Sequence, residues 1–265
     1  MPSGTLRRGA LPGAQRVPDP TTSFWLMKVL TTGMGETTSD FFVKRFAPEL
    51  VVPAALLVLV VALVVQLRVG RYRPTPYWIA ALMVSVFGTM AADVLHVGLG
   101  IPYAVSTVVF AVALAAIFVL WRRVEGTLSV HEIRTPRRER FYWAVVMATF
   151  ALGTAAGDLT ATTLHLGYLG SGVLFGIAFA LPGIWFAVTH RAPVATFWTA
   201  YVLTRPLGAS FADYFAVSPA RGGLDLGSGP VSAVLLGVFV IGLAVLAARH
   251  RAVAPVGAAL DGAGS

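Results

Sequence analysis

Eight apolar runs alternate with short polar connections along the chain. Four of them begin at an aromatic residue followed by tryptophan, and the other four cover about residues 51–67, 101–121, 166–188 and 230–248. Each is close to the roughly 20 residues that cross a ~30 Å hydrocarbon core as a helix. The pattern therefore predicts an all-α polytopic membrane protein with eight transmembrane helices.

The apolar runs belong to a repeat that is marked by tryptophan, glycine and aspartate. In every copy an aromatic residue precedes Trp, glycine follows ten residues later, and aspartate follows five residues after the glycine. The Trp, Gly and Asp positions are Trp25, Gly35, Asp40; Trp78, Gly88, Asp93; Trp143, Gly153, Asp158; and Trp198, Gly208, Asp213. We predict four tandem helical-hairpin repeats. Because each copy contains two spans, all four enter the membrane in parallel orientation, pseudo-symmetric about the membrane normal.

Composition and charge distribution support a membrane location. Hydrophobic residues make up 57% of the 265 positions, charged residues 12%, and mean hydropathy is +0.77. The net charge of +8 comes from arginines in the N-terminal segment and after the second, fourth, sixth and eighth runs. The other connections carry only Lys44, Arg45 and Arg221. This positive-inside pattern predicts a bacterial inner-membrane protein with both termini cytoplasmic, in contact with the lipid bilayer and not with nucleic acid.

The chain divides at its polar segments. We predict a disordered cytoplasmic tail at 1–23, repeats 1 and 2 at 24–121, a basic cytoplasmic linker at 122–140, repeats 3 and 4 at 141–249, and a second tail at 250–265. The repeats are compatible with a pseudo-fourfold or a two-plus-two arrangement. The long linker favours two-plus-two.

The motifs GETTSDFF, GTAAGD and TRPLGASFAD, together with one marker tryptophan per repeat, resemble a known family. It is a bacterial family of membrane-anchored proteins made of four tandem two-span repeats, catalogued as a repeat of unknown function. The resemblance covers about residues 24–249. It implies the topology and the repeat count, and it carries no activity.

Each repeat brings one aspartate into the membrane, where facing lipid would cost about 3 kcal/mol on insertion scales. At equivalent depths around a common axis, the four carboxylates would converge. The positions four residues earlier share their helix face and are Glu36, Thr89, Thr154 and Ala209. The predicted ion-binding residues are Glu36, Asp40, Asp93, Asp158, Asp213, Thr89 and Thr154, and the four aspartates are the predicted metal ligands.

Two basic side chains accompany these acids within the membrane. Lys28 and Arg205 are expected to compensate charge, as counterions to Glu36 and Asp213. Five acids against two bases leave three negative charges, which require a cation or protons. The chain has no cysteine, so oxygen ligands would select a hard cation such as Mn²⁺ or Mg²⁺. His96 and His165 could add imidazole.

Two functions remain open at this point. The first is transport of a small hard cation, proton-coupled or not, through the repeat aspartates. The second is a scaffold or accessory protein in which the same acids form structural hydrogen bonds between helices. We expect no enzyme, because no nucleophile and base arrangement or paired metal-ligand motif stands out. No cofactor is indicated beyond a bound divalent cation.

Overall fold

The computed structural model describes residues 13–261, without the side chains of Val97 and residues 253–261. This part of the chain forms eight α-helices and no strand. Their bounds are α1 Thr22–Arg45, α2 Pro48–Val69, α3 Pro74–Asp93, α4 Tyr103–Glu125, α5 Pro136–Asp158, α6 Gly167–Thr189, α7 Pro193–Ala216 and α8 Ser228–Asp261. Helices α3, α5 and α7 begin at a proline, whose fixed φ and missing N–H suit the first turn.

The odd-numbered helices form an inner ring. α1 packs against α3, α3 against α5, α5 against α7, and α7 against α1. About half of the apolar span is buried in α3 and α5, at 56% and 50%, against 11–22% in α2, α4, α6 and α8. The even-numbered helices therefore surround the ring, and their exposed leucines and valines face outward as lipid contact requires.

Each outer helix packs chiefly on the inner helix of the following repeat. α2 lies on α3, α4 on α5 and α6 on α7, and α8 closes the circle on α1. The contacts of α1 with α2 and of α7 with α8, within one hairpin, are smaller. The two helices of a predicted hairpin therefore make few contacts with each other, and the second helix packs on the next repeat. This arrangement joins the four repeats into one body. The contacts that join the first two repeats to the last two, α3 with α5 and α7 with α1, are of the same kind as those within each half of the chain. The expected two-plus-two division is therefore not seen.

The repeat glycines lie where the inner helices approach most closely. A Cβ on Gly35, Gly88, Gly153 or Gly208 would lie less than 3.0 Å from atoms of the next inner helix. The residues contacted are Ser85, Phe150, Arg205 and Thr32, which occupy the same position of the repeat, three residues before its glycine. One contact recurs four times and closes on itself, which defines a pseudo-fourfold axis and parallel inner helices. These glycines therefore allow the inner helices to pack closely.

Aromatic side chains close the amino-terminal end of the ring, and here too each repeat contacts the next one. The aromatic residue before each tryptophan packs against the tryptophan of the next repeat, with ring centroids 5.5 to 6.0 Å apart. These pairs are Phe24 and Trp78, Tyr77 and Trp143, Tyr142 and Trp198, and Phe197 and Trp25. The hydroxyl of Tyr142 lies 2.5 Å from that of Tyr77 and 3.4 Å from that of Tyr201. The tryptophans act mainly as packing residues inside the bundle.

Six of the eight helices, α2 to α6 and α8, are long and apolar enough to cross a membrane. α1 and α7 have 24 residues each, about 36 Å of helix, which matches the length of a span. Their composition is more polar because they carry Lys28, Glu36 and Arg205. All three side chains are buried, since these helices lie in the ring, where protein and not lipid surrounds them.

The N-terminal segment differs from the predicted disordered tail over the part that is described. Residues 13–20 lie across the amino-terminal end of the ring, where Arg16 donates its backbone N–H to the carbonyl of Ile133 at 2.9 Å. The Arg16 guanidinium binds Glu139 on α5 at 2.5 Å, and Gln66 on α2 donates to the same carboxylate at 2.8 Å. A buried acid at this end thus fixes the segment. Residues 1–12 lie outside the described part.

The other predicted boundaries also shift. α4 continues to Glu125 and α5 begins at Pro136, so only residues 126–135 of the predicted 122–140 linker connect the two helices. The linker packs on the ring, where Trp198 donates its indole N–H to the carbonyl of Leu128 at 2.9 Å. α8 runs to Asp261, through most of the predicted 250–265 tail.

Candidate functional site

The four repeat aspartates line one cavity at the carboxyl-terminal end of the inner ring. It has a volume of about 390 Å³. Each aspartate lies near the end of its inner helix, five residues beyond the glycine that fixes the contact to the next repeat. The polar and aromatic lining consists of Glu36, Asp40, Lys44, Asp93, Tyr103, Asp158, Tyr168, Asp213 and Arg221. The structure thus brings together all four aspartates and Glu36.

Arg205 lies at the base of this cavity, where the inner helices meet. Its side chain is fully buried. Nη2 lies 2.5 Å from Oε2 of Glu36, 2.5 Å from Oγ1 of Thr89 and 2.8 Å from Oγ1 of Thr154, so its two N–H groups are shared among three acceptors. These three acceptors all follow a repeat glycine directly and come from three different helices. One guanidinium therefore joins α1, α3, α5 and its own helix α7 around the axis.

The two threonines contact Arg205. Thr89 and Thr154 are predicted to bind a cation, and in this structure their hydroxyls accept from Arg205. Each hydroxyl also donates to a carbonyl one turn earlier in its own helix, Thr89 to Ser85 and Thr154 to Phe150. Thr89 does not line the 390 Å³ cavity, whereas Thr154 lines a smaller pocket with Glu36, Asp158 and Asp213. Each hydroxyl donates one bond and accepts one, which leaves its second lone pair for an ion, so the cation contact stays a prediction.

The predicted counterion pairs also change. Arg205 pairs with Glu36 and not with Asp213, because it projects toward the axis one turn before the aspartate layer. Lys28 is buried two turns before Glu36 and makes no ion pair among residues 13–261. Its ammonium group lies 4.0 Å from the ring centroid of Phe150 and 4.3 Å from that of Tyr201, in the range of cation–π contacts.

Charge is unevenly distributed around the cavity. Lys44 pairs with Asp40 on the same helix, and Arg221 donates to the hydroxyl of Tyr168 at 2.5 Å. Burial alone would lower the pKa of Arg221, which lies in the loop after α7, but Tyr168 and then Asp213 and Asp40 raise it above its ordinary value. Counting Arg205, three cationic side chains face five carboxylates. With all five carboxylates ionised, the formal charge is two negative units.

Asp93 and Asp158 differ from the other two aspartates in their backbone setting. Each ends an α-helix and is followed at once by a π-helical turn, Val94–Gly98 and Leu159–Thr163. His96 lies in the first of these turns, and one of its ring nitrogens and a carboxylate oxygen from each aspartate all lie within 4.8 Å of one another. Asp40 and Asp213 line the cavity but are outside this group. His165 is exposed and does not join it.

Several lining residues were not identified from sequence. Arg221 lies in a loop and was counted only as a topology signal. Tyr103 and Tyr168 each lie ten residues after a repeat aspartate, a spacing that the tryptophan-based repeat did not cover. The sequence pattern predicts plain spans for the second helices of the hairpins, yet in the first three hairpins the first turn of that helix lines the cavity through Pro48, Tyr103 and Tyr168.

Comparison with known sequences identifies the chain by its repeat. Four copies of the family described as a Repeat of Unknown Function (DUF347) match residues 23–72, 76–127, 141–192 and 196–252. Because these matches cover most of the chain, the protein belongs to this family. No curated protein and no solved structure matches it.

Proposed function

We propose that this protein transports a small hard cation, a divalent metal such as Mn²⁺ or Mg²⁺, across a bacterial inner membrane. The single observation that carries the proposal is the cavity into which all four repeat aspartates point at one end of the inner ring. In the proposed topology both termini are cytoplasmic, so this cavity faces the outer side.

The charge of the cavity supports a divalent substrate. Three carboxylates, those of Asp93, Asp158 and Asp213, have no ion-pair partner within 4.0 Å among the described residues. Placing several carboxylates together in a membrane is unfavourable unless protons or a cation neutralise them. Binding a metal in exchange for protons would satisfy this requirement and would couple transport to the proton gradient.

The other side of the ring supports a gated path. Beyond the aspartates, the axis is closed first by the ion pair of Arg205 with Glu36 and then by the aromatic layer around Tyr142. Pro206 follows Arg205 inside α7 and removes one backbone hydrogen bond, which weakens the helix at this point. Bending of α7 at Pro206 would withdraw the guanidinium and open the axis.

One observation favours a scaffold as the second candidate function. Arg205 binds side chains from three other helices, as expected of a residue whose role is to hold the ring together. In this reading the protein has no flux, and the acids serve helix packing.

Flux measurements in proteoliposomes test the proposal. We would compare wild type with Asp93→Asn and Asp158→Asn under gradients of Mn²⁺, Mg²⁺, Ca²⁺, Na⁺ and H⁺. The matched control is Asp225→Asn, at an exposed loop aspartate with φ of 60°, a conformation that asparagine also adopts. All variants are first checked for folding by thermal unfolding.

We expect flux of one divalent cation in wild type and in Asp225→Asn, with loss in both cavity variants. Folded wild-type protein that passes none of the five cations would refute transport. In that case the scaffold function predicts that the cavity variants lose stability instead.

A further inference from the structure

We infer that Asp93, His96 and Asp158 form a mixed carboxylate and imidazole site for a divalent transition metal, between repeats 2 and 3. The inference rests on the proposed reading of this cavity as a cation site and adds the ligands and the class of metal. It makes the site specific to two of the four repeats, although every repeat supplies an aspartate.

The first observation is the closeness of three donor atoms of two kinds. A carboxylate oxygen of Asp93, a carboxylate oxygen of Asp158 and a ring nitrogen of His96 lie within 4.8 Å of one another. Ligand bonds of about 2.0–2.2 Å place two ligand atoms of one metal roughly 3–4 Å apart. Small side-chain rotations bring the three donors to that spacing.

The second observation is the state of the imidazole. His96 is only 8% exposed. Its Nε2 lies 2.5 Å from the hydroxyl of Ser106 on α4, whereas Nδ1 has no hydrogen-bond partner among the described residues. A buried ring nitrogen without a partner is costly unless it accepts a bond. When Nε2–H donates to Ser106, the lone pair of Nδ1 is free for a metal; histidines that bind metals usually donate their other ring N–H in this way, which fixes the orientation of the ring.

The repeat explains why this site occurs once. The residue three positions after the aspartate is Val43 in repeat 1, His96 in repeat 2, Ala161 in repeat 3 and Ala216 in repeat 4. Only one repeat therefore supplies imidazole. The π-helical turns after Asp93 and Asp158 widen both helices at this point, and such turns are frequent at functional sites.

The donor set predicts which metals bind. Two carboxylates and one imidazole suit Mn²⁺, Fe²⁺, Co²⁺ or Zn²⁺, whereas Mg²⁺ and Ca²⁺ prefer oxygen alone. We therefore expect Mn²⁺ to bind more tightly than Mg²⁺, even if both enter the cavity.

Mn²⁺ binding to the purified full-length protein tests the inference without flux. Equilibrium dialysis gives the affinities for Mn²⁺ and Mg²⁺, and electron spin-echo spectroscopy of bound Mn²⁺ detects a coordinated nitrogen. The variants are His96→Gln and the matched His165→Gln, which alters the exposed histidine at the same end of the molecule. We expect His96→Gln to weaken Mn²⁺ binding at least about tenfold and to abolish the nitrogen signal. His165→Gln should leave both unchanged.

Each outcome separates the inference from the proposed function. Mn²⁺ bound without a nitrogen signal, or no more tightly than Mg²⁺, overturns the mixed-ligand site and leaves transport through the carboxylates standing. A nitrogen signal that survives in His96→Gln also overturns it. Tight binding with the expected signal but no flux in proteoliposomes supports the site and refutes transport.

Discussion

Replacing Glu36 by glutamine should destabilise the ring more than any other single change at the ion pair. Arg205 is fully buried, and the side chain of Glu36 is 7% exposed. A guanidinium does not lose its proton in proteins, so Glu36→Gln leaves a buried positive charge with only neutral acceptors. Removing one partner of a buried pair costs about 3–5 kcal/mol. We expect that loss in the free energy of unfolding.

The reverse change should cost less. Arg205→Met keeps an unbranched side chain against Gly153 but leaves Glu36, which can take up a proton and become neutral. The double variant removes both charges, so its cost should fall below the sum of the single costs by about 2–3 kcal/mol. Unfolding by increasing SDS in mixed micelles, followed by tryptophan fluorescence, measures all three.

An ion pair with one exposed partner provides the control. Arg137 binds Glu125 at the other end of the molecule; the side chain of Arg137 is 61% exposed and that of Glu125 is 7% exposed, and Glu125 keeps Arg138 as a second partner. Arg137→Met should therefore cost no more than about 1 kcal/mol. If Glu36→Gln costs as little as this control, the Arg205 charge is solvated and the axis is not closed as described.

Three further predictions concern packing, the N-terminal segment and the metal site. Gly88→Leu should lower the free energy of unfolding by about 1–3 kcal/mol, because a Cβ at this position would lie 2.9 Å from the Cβ of Phe150. The control Gly237→Leu, on open surface, should change the free energy of unfolding by less than about 0.5 kcal/mol. Equal effects would contradict the close-packed ring. Arg16→Met should cost about 1–3 kcal/mol near neutral pH, because Glu139 loses its ion-pair partner but keeps the hydrogen bond from Gln66 and can take up a proton. A loss below about 0.5 kcal/mol would show that residues 13–20 do not hold this acid. Ser106→Ala should weaken Mn²⁺ binding in dialysis by about 10- to 100-fold, because the hydroxyl that orients His96 is lost, while the nitrogen signal of bound Mn²⁺ persists. An unchanged affinity would exclude an orienting role for this hydroxyl.

The ring could be predicted from sequence only in part. The spacing of tryptophan, glycine and aspartate is a local property of each repeat, so it predicts equal depth for equivalent residues. Equal depth around one axis then predicts the convergence of the aspartates. The spacing does not say which helix is the neighbour of which, because hairpins can close on themselves or, as α2 does on α3, reach into the next repeat.

The side-chain partners at the axis were beyond sequence reasoning for a similar reason. Lys28 and Arg205 could each pair with Glu36 or Asp213, and helix periodicity cannot rank pairs of residues on different helices. Arg205 lies three residues before its glycine, a position that faces the glycine of the preceding repeat. This position determines which side chains the guanidinium contacts. His96 was named from the sequence, but its place beside Asp93 and Asp158 follows a π-helical turn, which no periodic pattern indicates.

Four equal repeats produce an unequal site because the axis has room for few large groups. The position three residues before the glycine holds Thr32, Ser85, Phe150 and Arg205, and only one of these is a long cation. Four arginines there would repel one another around a narrow axis, whereas one can bind the polar side chains of three neighbours. The aspartates, one turn or more beyond, lie where the cavity is wide, so all four copies can keep them. The same reasoning places the proposed chemistry at two single substitutions of the repeat, Arg205 on the axis and His96 beside Asp93 and Asp158, and variants at these positions should separate binding from packing.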